Sequence, residues 1–378
     1  MIPFNKPYIR GDECQYFDQV LQRRQLSGDG YFSEQCSAWL KTRVATEAAF
    51  LVPSGTAALE MAAMLLEVQP GDEVIMPSYT FPSTANAFVL RGATPVFVDI
   101  RSDTLNLDEK LVEEHITEKT TAICVVHYAG VPAEMDALMD ISHRHRLRVV
   151  EDAAQAIMSK YKTRPVGGIG DFGAFSFHAT KNLTCGEGGA LLVRDRDNVL
   201  PGEIMREKGT NRTQFARGDA AKYTWIDAGS SYLLGELSCA HLKSQLDSAE
   251  DITDARLALW NKYWSWFAEY EERGWIRRPV VPSNVEHNGH SFFVILPSKS
   301  LRNQFIAGME ARQVRAVFHY LPLHSSPAGQ RYGIARSRLP VTEDLSERIV
   351  RLPLWVGLDQ VWDELTDAIR HTLNRIFT

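Results

Sequence analysis

Cysteine is scarce and scattered in this chain. Its five residues, Cys14, Cys36, Cys124, Cys185 and Cys239, include no CxxC pair, so neither a metal site nor a disulfide framework is expected. Basic blocks are missing too. The 41 Lys and Arg residues are interspersed with 47 Asp and Glu for a formal net charge of −6, which offers no face for nucleic acid. A phosphate-bearing ligand must then be caught locally, by a few placed groups. Long apolar runs are also lacking: the most apolar helical stretch, residues 57–68, is interrupted by Glu60 and Glu67 and is too short to cross a bilayer. The start, Met1-Ile2-Pro3-Phe4-Asn5-Lys6-Pro7, has no apolar run behind a basic head, so no secretory signal, no membrane partner and a cytoplasmic location are expected. Internal repeats and low-complexity linkers are absent, as is a G-x-G-x-x-G turn after the first strands, which disfavours a dinucleotide-binding dehydrogenase.

What is present is a globular composition, 44% hydrophobic and 23% charged over 378 residues, enough for a large core and more than one ordinary domain. Short apolar runs alternate with amphipathic segments, the pattern of a mostly parallel sheet covered by helices. Strands are expected at residues 50–53, 73–76, 94–98, 121–126, 146–151, 173–177 and 189–193. Runs such as Ile123-Cys124-Val125-Val126 are apolar without alternation, as strands buried on both faces are. Residues 250–275 read as one long helix. After it come a strand at 290–296, a helix at 301–312, a strand at 314–319 and a terminal helix at 360–373. The division is an amino-terminal arm and large domain over residues 1–249, then the long helix and a small α+β domain over residues 250–378.

The chemistry gathers where strands end, the edge at which such sheets bind ligands. Lys181 lies in Phe175-Ser176-Phe177-His178-Ala179-Thr180-Lys181-Asn182, just before Gly186, Gly188 and Gly189. Upstream, Glu151-Asp152-Ala153-Ala154-Gln155 closes an apolar run. A lysine that can form an imine and an acid that can hold a protonated pyridine nitrogen are the two groups pyridoxal phosphate needs. Taken alone, Asp152 serves equally as a cap for the helix that starts at Ala153. Gln155, one turn on, is placed to reach the ring oxygen. Ser54-Gly55-Thr56-Ala57 follows a strand and opens a helix, where free amides suit a phosphate, although many such turns are plain caps. Ser176 offers a further hydroxyl. In Pro77-Ser78-Tyr79-Thr80-Phe81, one aromatic is a candidate to stack on the ring, the other reading being two core aromatics.

These stretches resemble, over nearly the whole chain, the DegT/DnrJ/EryC1/StrS sugar aminotransferases, which have the aspartate-aminotransferase (type I) fold. The likeness is carried by Gln69-Pro70-Gly71-Asp72-Glu73-Val74-Ile75-Met76-Pro77-Ser78, Glu151-Asp152-Ala153-Ala154-Gln155, Lys181-Asn182, Arg206-Glu207-Lys208-Gly209-Thr210-Asn211-Arg212 and His319-Tyr320-Leu321-Pro322-Leu323-His324. The resemblance implies an α/β fold with a mostly parallel seven-stranded sheet, pyridoxal 5'-phosphate as cofactor and a homodimer with shared active sites. Lys181 matches the imine-forming lysine and Asp152 the pyridinium partner. Gln155 matches the residue beside the ring hydroxyl, Gly55, Thr56 and Ser176 the phosphate cradle, and Phe81 rather than Tyr79 the stacking aromatic. Where many relatives carry Asn and reach the partner subunit's phosphate, this chain has Ser231 in Gly229-Ser230-Ser231-Tyr232. Asp29, Tyr31, Lys208, Arg212, His319, Tyr320 and His324 are implied on the substrate side; a solvated loop is the other reading of Lys208 and Arg212.

The implied reaction moves an amino group from L-glutamate to the C4 keto group of TDP-4-keto-6-deoxy-D-glucose, for surface-polysaccharide biosynthesis. A 3-keto sugar is the alternative within the class. Relatives that remove a sugar hydroxyl carry histidine in place of the lysine, so Lys181 disfavours that chemistry. Together with Asp152 and Gln155 it also disfavours a non-catalytic relative.

Overall fold

A computed structural model describes residues 1–378. All seven expected sheet strands form: β1 (Ala48–Val52), β2 (Glu73–Pro77), β3 (Thr94–Val98), β4 (Thr120–Val126), β5 (Arg148–Asp152), β6 (Phe172–Ser176) and β7 (Gly189–Val193). They lie in the order β1-β7-β6-β5-β4-β2-β3. β7 is antiparallel to both its neighbours, β1 and β6, and the other pairings are parallel. The strands are buried along both faces because successive residues feed two cores. Leu51, Ile123, Val149 and Leu192 point into one, while Val52, Cys124, Val150 and Leu191 point into the other.

The helices α1 (Glu13–Arg23) and α2 (Tyr31–Val44) precede β1. After it comes α3 (Gly55–Leu65), and α4 (Pro82–Val89) follows β2. Ser54 caps α3, its hydroxyl accepting from the Ala57 amide at 3.0 Å. That leaves the Gly55 and Thr56 amides without a carbonyl in their own helix. Gly189 sits opposite both Val52 and Ser176 in the ladder. A Cβ there would lie 2.5 Å from the Gly55 amide nitrogen, so glycine is what lets β1, β6 and the start of α3 close up.

Beyond the sheet come α5 (Glu236–Leu246) and α6 (Ala249–Trp266). The expected helix over 250–275 is shorter and broken. α6 ends at Trp266, a short turn of helix (Ala268–Glu272) follows, and Gly274 closes it in a left-handed conformation with the Trp275 amide on the Tyr270 carbonyl at 3.0 Å. α6 starts in one core through Ala249 and Ile252 and ends in a third core through Leu259, Trp260 and Tyr263. That core is completed by β8 (Phe292–Ile295), α7 (Lys299–Ala311), β9 (Ile349–Leu352) and α9 (Trp362–Phe377), while α8 (Pro340–Arg348) feeds a smaller cluster through Leu345. The strand expected at 314–319 does not form. Val314 and Val317 make only isolated bridges, to two different partners, Ile2 and Arg351. No helix is long and apolar enough to cross a membrane.

Candidate active site

The carboxyl ends of β1, β5 and β6, together with β9 and the amino-terminal residues Phe4 and Asn5, wall a cavity of about 400 Å³. Its lining includes Gly55, Thr56, Phe81, Asp152, Gln155, Ser176, Lys181, His319 and Tyr320, so nine residues singled out from the sequence meet in one place.

Asp152 ends β5 with its carboxylate doubly held. Thr84 Oγ1 donates to Oδ2 at 2.6 Å and the Ala154 amide to Oδ1 at 3.2 Å. The neighbouring Glu151 turns the other way, accepting from the Gly167, Ile169 and Gly170 amides and meeting His127 Nε2 at 2.9 Å. The acid pair thus splits into a structural carboxylate and one that faces the cavity. Lys181 follows β6 on a turn closed by its own amide on the His178 carbonyl at 2.8 Å. Burial pushes its amine down to about 8; Asp152 opposes the shift and Arg351 adds to it. At pH 7 roughly a tenth of such amines are unprotonated, a few hundred times the fraction for an ordinary lysine, which favours a nucleophile and proton carrier.

The start of α3 forms the opposite wall. A Cβ at Gly55 would stand 2.9 Å from the Ser176 Cβ; glycine keeps this pocket of free amides and hydroxyls open. Thr56 Oγ1 meets Ser83 Oγ at 2.7 Å. Helix-start amides with three or four hydroxyls make a seat for a phosphate dianion. Phe81 precedes α4 and is 56% exposed, lining the cavity, whereas Tyr79 is fully buried. Gln155 accepts from the Ala129 amide at 2.8 Å and donates to the Tyr320 hydroxyl at 2.9 Å. Phosphate seat, free lysine, anchored acid and open aromatic together fit pyridoxal phosphate.

Six other residues expected at the site lie outside this cavity. Asp29 pairs with Arg206 and, with Arg212, lines a separate depression. The Tyr31 ring lies under the Arg23 guanidinium at 3.8 Å. Lys208 pairs with Glu207 at 2.9 Å, and Ser231 makes a bridge to that same glutamate residue's backbone. His324 tethers its loop to the sheet, with Nδ1 2.7 Å from Ser78 Oγ and Nε2 3.3 Å from Glu343.

Two residues of the wall were not foreseen. Arg351 is the cavity's single arginine; its Nε is buried without a partner, and its guanidinium forms no ion pair, lying 4.6 Å from the Phe4 ring. His290, just ahead of β8, is the other. A lone charge inside the apolar run Ile349-Val350-Arg351-Leu352 was the available signal for the first.

The sequence profile of the DegT/DnrJ/EryC1/StrS aminotransferase family matches residues 7–370. The spore coat polysaccharide biosynthesis protein SpsC of Bacillus subtilis is 32% identical over 378 residues, covering 98% of this chain and 96% of SpsC. Among solved structures, the putative sugar aminotransferase Spr1654 from Streptococcus pneumoniae, in its PMP form, superposes with a TM-score of 0.92 at 27% identity over all of both chains. DesV of S. venezuelae superposes with a TM-score of 0.87 at 31% identity, over 98% of this chain and 95% of that one.

Proposed function

The chain belongs to the DegT/DnrJ/EryC1/StrS aminotransferase family, and from that premise we propose that it transfers an amino group from L-glutamate to the C4 keto group of TDP-4-keto-6-deoxy-D-glucose. The fold is that of the type I enzymes, and the cofactor is pyridoxal 5'-phosphate. The product is TDP-4-amino-4,6-dideoxy-D-galactose, with 2-oxoglutarate released; it serves synthesis of a surface polysaccharide of the enterobacterial common antigen or O-antigen type. The reading is carried by one observation: a lysine with a lowered amine affinity and a doubly anchored aspartate face one cavity that also holds an open helix start.

When bound, the cofactor carries the amino group between the two substrates and draws electrons from the reacting carbon. The residues supply the rest. Gly55, Thr56 and Ser176 hold its phosphate. Asp152, fixed by Thr84 and the Ala154 amide, keeps a proton on the ring nitrogen. Phe81 would stack on the ring and Gln155 would meet its oxygen. Lys181 would hold the cofactor through its amine and supply the base that moves a proton at the reacting carbon. Arg351 offers an uncompensated guanidinium to the donor's carboxylate. Sugar specificity is assigned from the sequence likeness through residues 206–215, 222–234 and 316–324. Of these only His319 and Tyr320 wall the cavity in one chain. Asp29, Tyr31, Lys208, Arg212, Ser231 and His324 complete the site in a homodimer, from the partner or as the cleft's outer rim.

Incubation with glutamate and a panel of TDP- and UDP-keto-sugars, with the amino product assigned by NMR, tests the substrate. The 4-amino product with the galacto configuration is expected; preferential amination of a 3-keto sugar would overturn the branch and keep the class. Arg351→Gln should raise the KM for glutamate by about tenfold or more while the sugar half-reaction keeps its rate, since a charged hydrogen bond contributes about 1.5–3 kcal/mol.

A further inference from the structure

His290 is clamped from three directions. Arg256, itself buried, donates from Nη2 to the His290 carbonyl at 2.7 Å and from Nε to the Gly289 carbonyl at 3.1 Å. Asn288 Oδ1 accepts from the His290 amide at 3.0 Å. On the ring, Nδ1 stands 2.9 Å from Oδ1 of Asn182, the residue next to Lys181. Asn182 is not free to turn its amide over, because its Nδ2 donates to the Asn288 carbonyl at 2.8 Å. The oxygen therefore faces the imidazole, and Nδ1 must carry the hydrogen. Nε2 is left with a lone pair, no partner within the chain, and the cavity in front of the ring.

Burial holds the ring neutral, and Lys181, Arg256 and Arg351 act in the same direction. Most buried side-chain polar atoms find a hydrogen-bond partner. This ring is locked in a single tautomer with its acceptor offered to whatever enters, the arrangement of a preorganised recognition group. The donor's carboxylates are repelled by a lone pair and suit Arg351 instead. The sugar brings hydroxyls, and a hydroxyl hydrogen is what a fixed acceptor reads. Its anchor, Asn182, adjoins the lysine that works at the reacting carbon, so the hydroxyl concerned is the one beside that carbon.

We propose that His290 is a specificity residue of the sugar half-reaction, its Nε2 accepting a hydrogen bond from the hydroxyl next to the reacting carbonyl; this rests on the nucleotide-sugar reading above. Two substrates test it, the keto sugar and its analogue with fluorine in place of that hydroxyl, each with wild type and with His290→Phe. Wild type should favour the hydroxyl substrate by about tenfold to a hundredfold in kcat/KM, the range for a recognition group left unpaired. In the variant the ratio should shrink to within about threefold, with the glutamate half-reaction retained. The comparison of ratios cancels any general damage to the enzyme. Asn182→Leu, which releases the tautomer, should give an intermediate ratio. Nitrogen-15 NMR of the wild-type holoenzyme at neutral pH should show a neutral ring protonated at Nδ1. An unchanged ratio in His290→Phe, or a ring protonated at Nε2, would sink the proposal while leaving the sugar reaction intact. A wild type that aminates no keto sugar in the panel overturns both readings.

Discussion

Lys181 carries a stability cost as well as a function. Its amine titrates near 8 in the folded chain, below its ordinary value of 10.5, because burial disfavours the ammonium. Between those two values the unfolded chain holds a proton that the folded chain has released, so stability of the cofactor-free protein rises with pH across that window. Below pH 8 the penalty is complete. Cofactor-free Lys181→Met is therefore expected to melt a few °C higher than cofactor-free wild type at pH 7, the gap closing as pH approaches 10.5; thermal scans at several pH values check the sign. The same substitution should abolish turnover, and the purified variant should lack the yellow colour that glutamate bleaches in wild type. Asp152→Asn separates the acid's charge from its place in the hydrogen-bond set. An amide still meets Thr84 but no longer favours the protonated ring, so cofactor binding should persist while kcat falls at least about a hundredfold, as when other strong transition-state partners are removed. Rates within a few-fold of wild type would reduce Asp152 to a cap. At this scale the sequence was legible where function is local: Lys181, Asp152, Gln155 and the Ser54-Gly55-Thr56 turn each sit in a short stretch with its own signature. His290 gave no such signal and Arg351 only a lone charge in an apolar run, since their meaning comes from β8 and β9 packing against a turn more than a hundred residues earlier in the chain.

Elements were read best where burial alone decides them. Each of the seven sheet strands carries a short apolar run, and the structure has each of them. The strand expected at 314–319 is reduced to isolated bridges at Val314 and Val317, on Ile2 and Arg351, because alternation and β-branching say nothing about whether one partner strand runs alongside. The long helix failed at its end, where Gly274 adopts φ of 70°. The start of α3 is the element on which the phosphate seat depends, and it tolerates no side chain at its first residue. Gly55→Val places carbon against the Ser176 Cβ, which lies 2.9 Å from the ideal Cβ position; the helix start must move, with its amides. Cofactor affinity is expected to weaken by about tenfold or more, measured by titration of the cofactor-free protein, the order of one or two lost charged hydrogen bonds. Unchanged affinity would mean that the phosphate is held elsewhere.

Across the whole molecule, the stretch between α5 and the sheet stands apart. Phe215, Tyr223, Trp225 and Ile226 are all exposed, Trp225 at 77%, an apolar surface larger than scattered single residues explain. In the chain it adjoins Lys208 and Arg212, expected on the substrate side, and Ser231, which stands where many relatives reach the partner subunit's phosphate. Sedimentation at assay concentration is expected to show at least a dimer, and Trp225→Asp should shift it toward monomer with a parallel loss of sugar turnover. A fully active monomer contradicts the shared site.

The order in which the cavity's walls occur along the chain has a consequence for synthesis. The phosphate seat, the anchored acid and the lysine all lie between Ser54 and Lys181, whereas His290, His319, Tyr320 and Arg351 come from the last third. As the chain leaves the ribosome, the floor that grips the cofactor is therefore complete long before the roof that selects substrates.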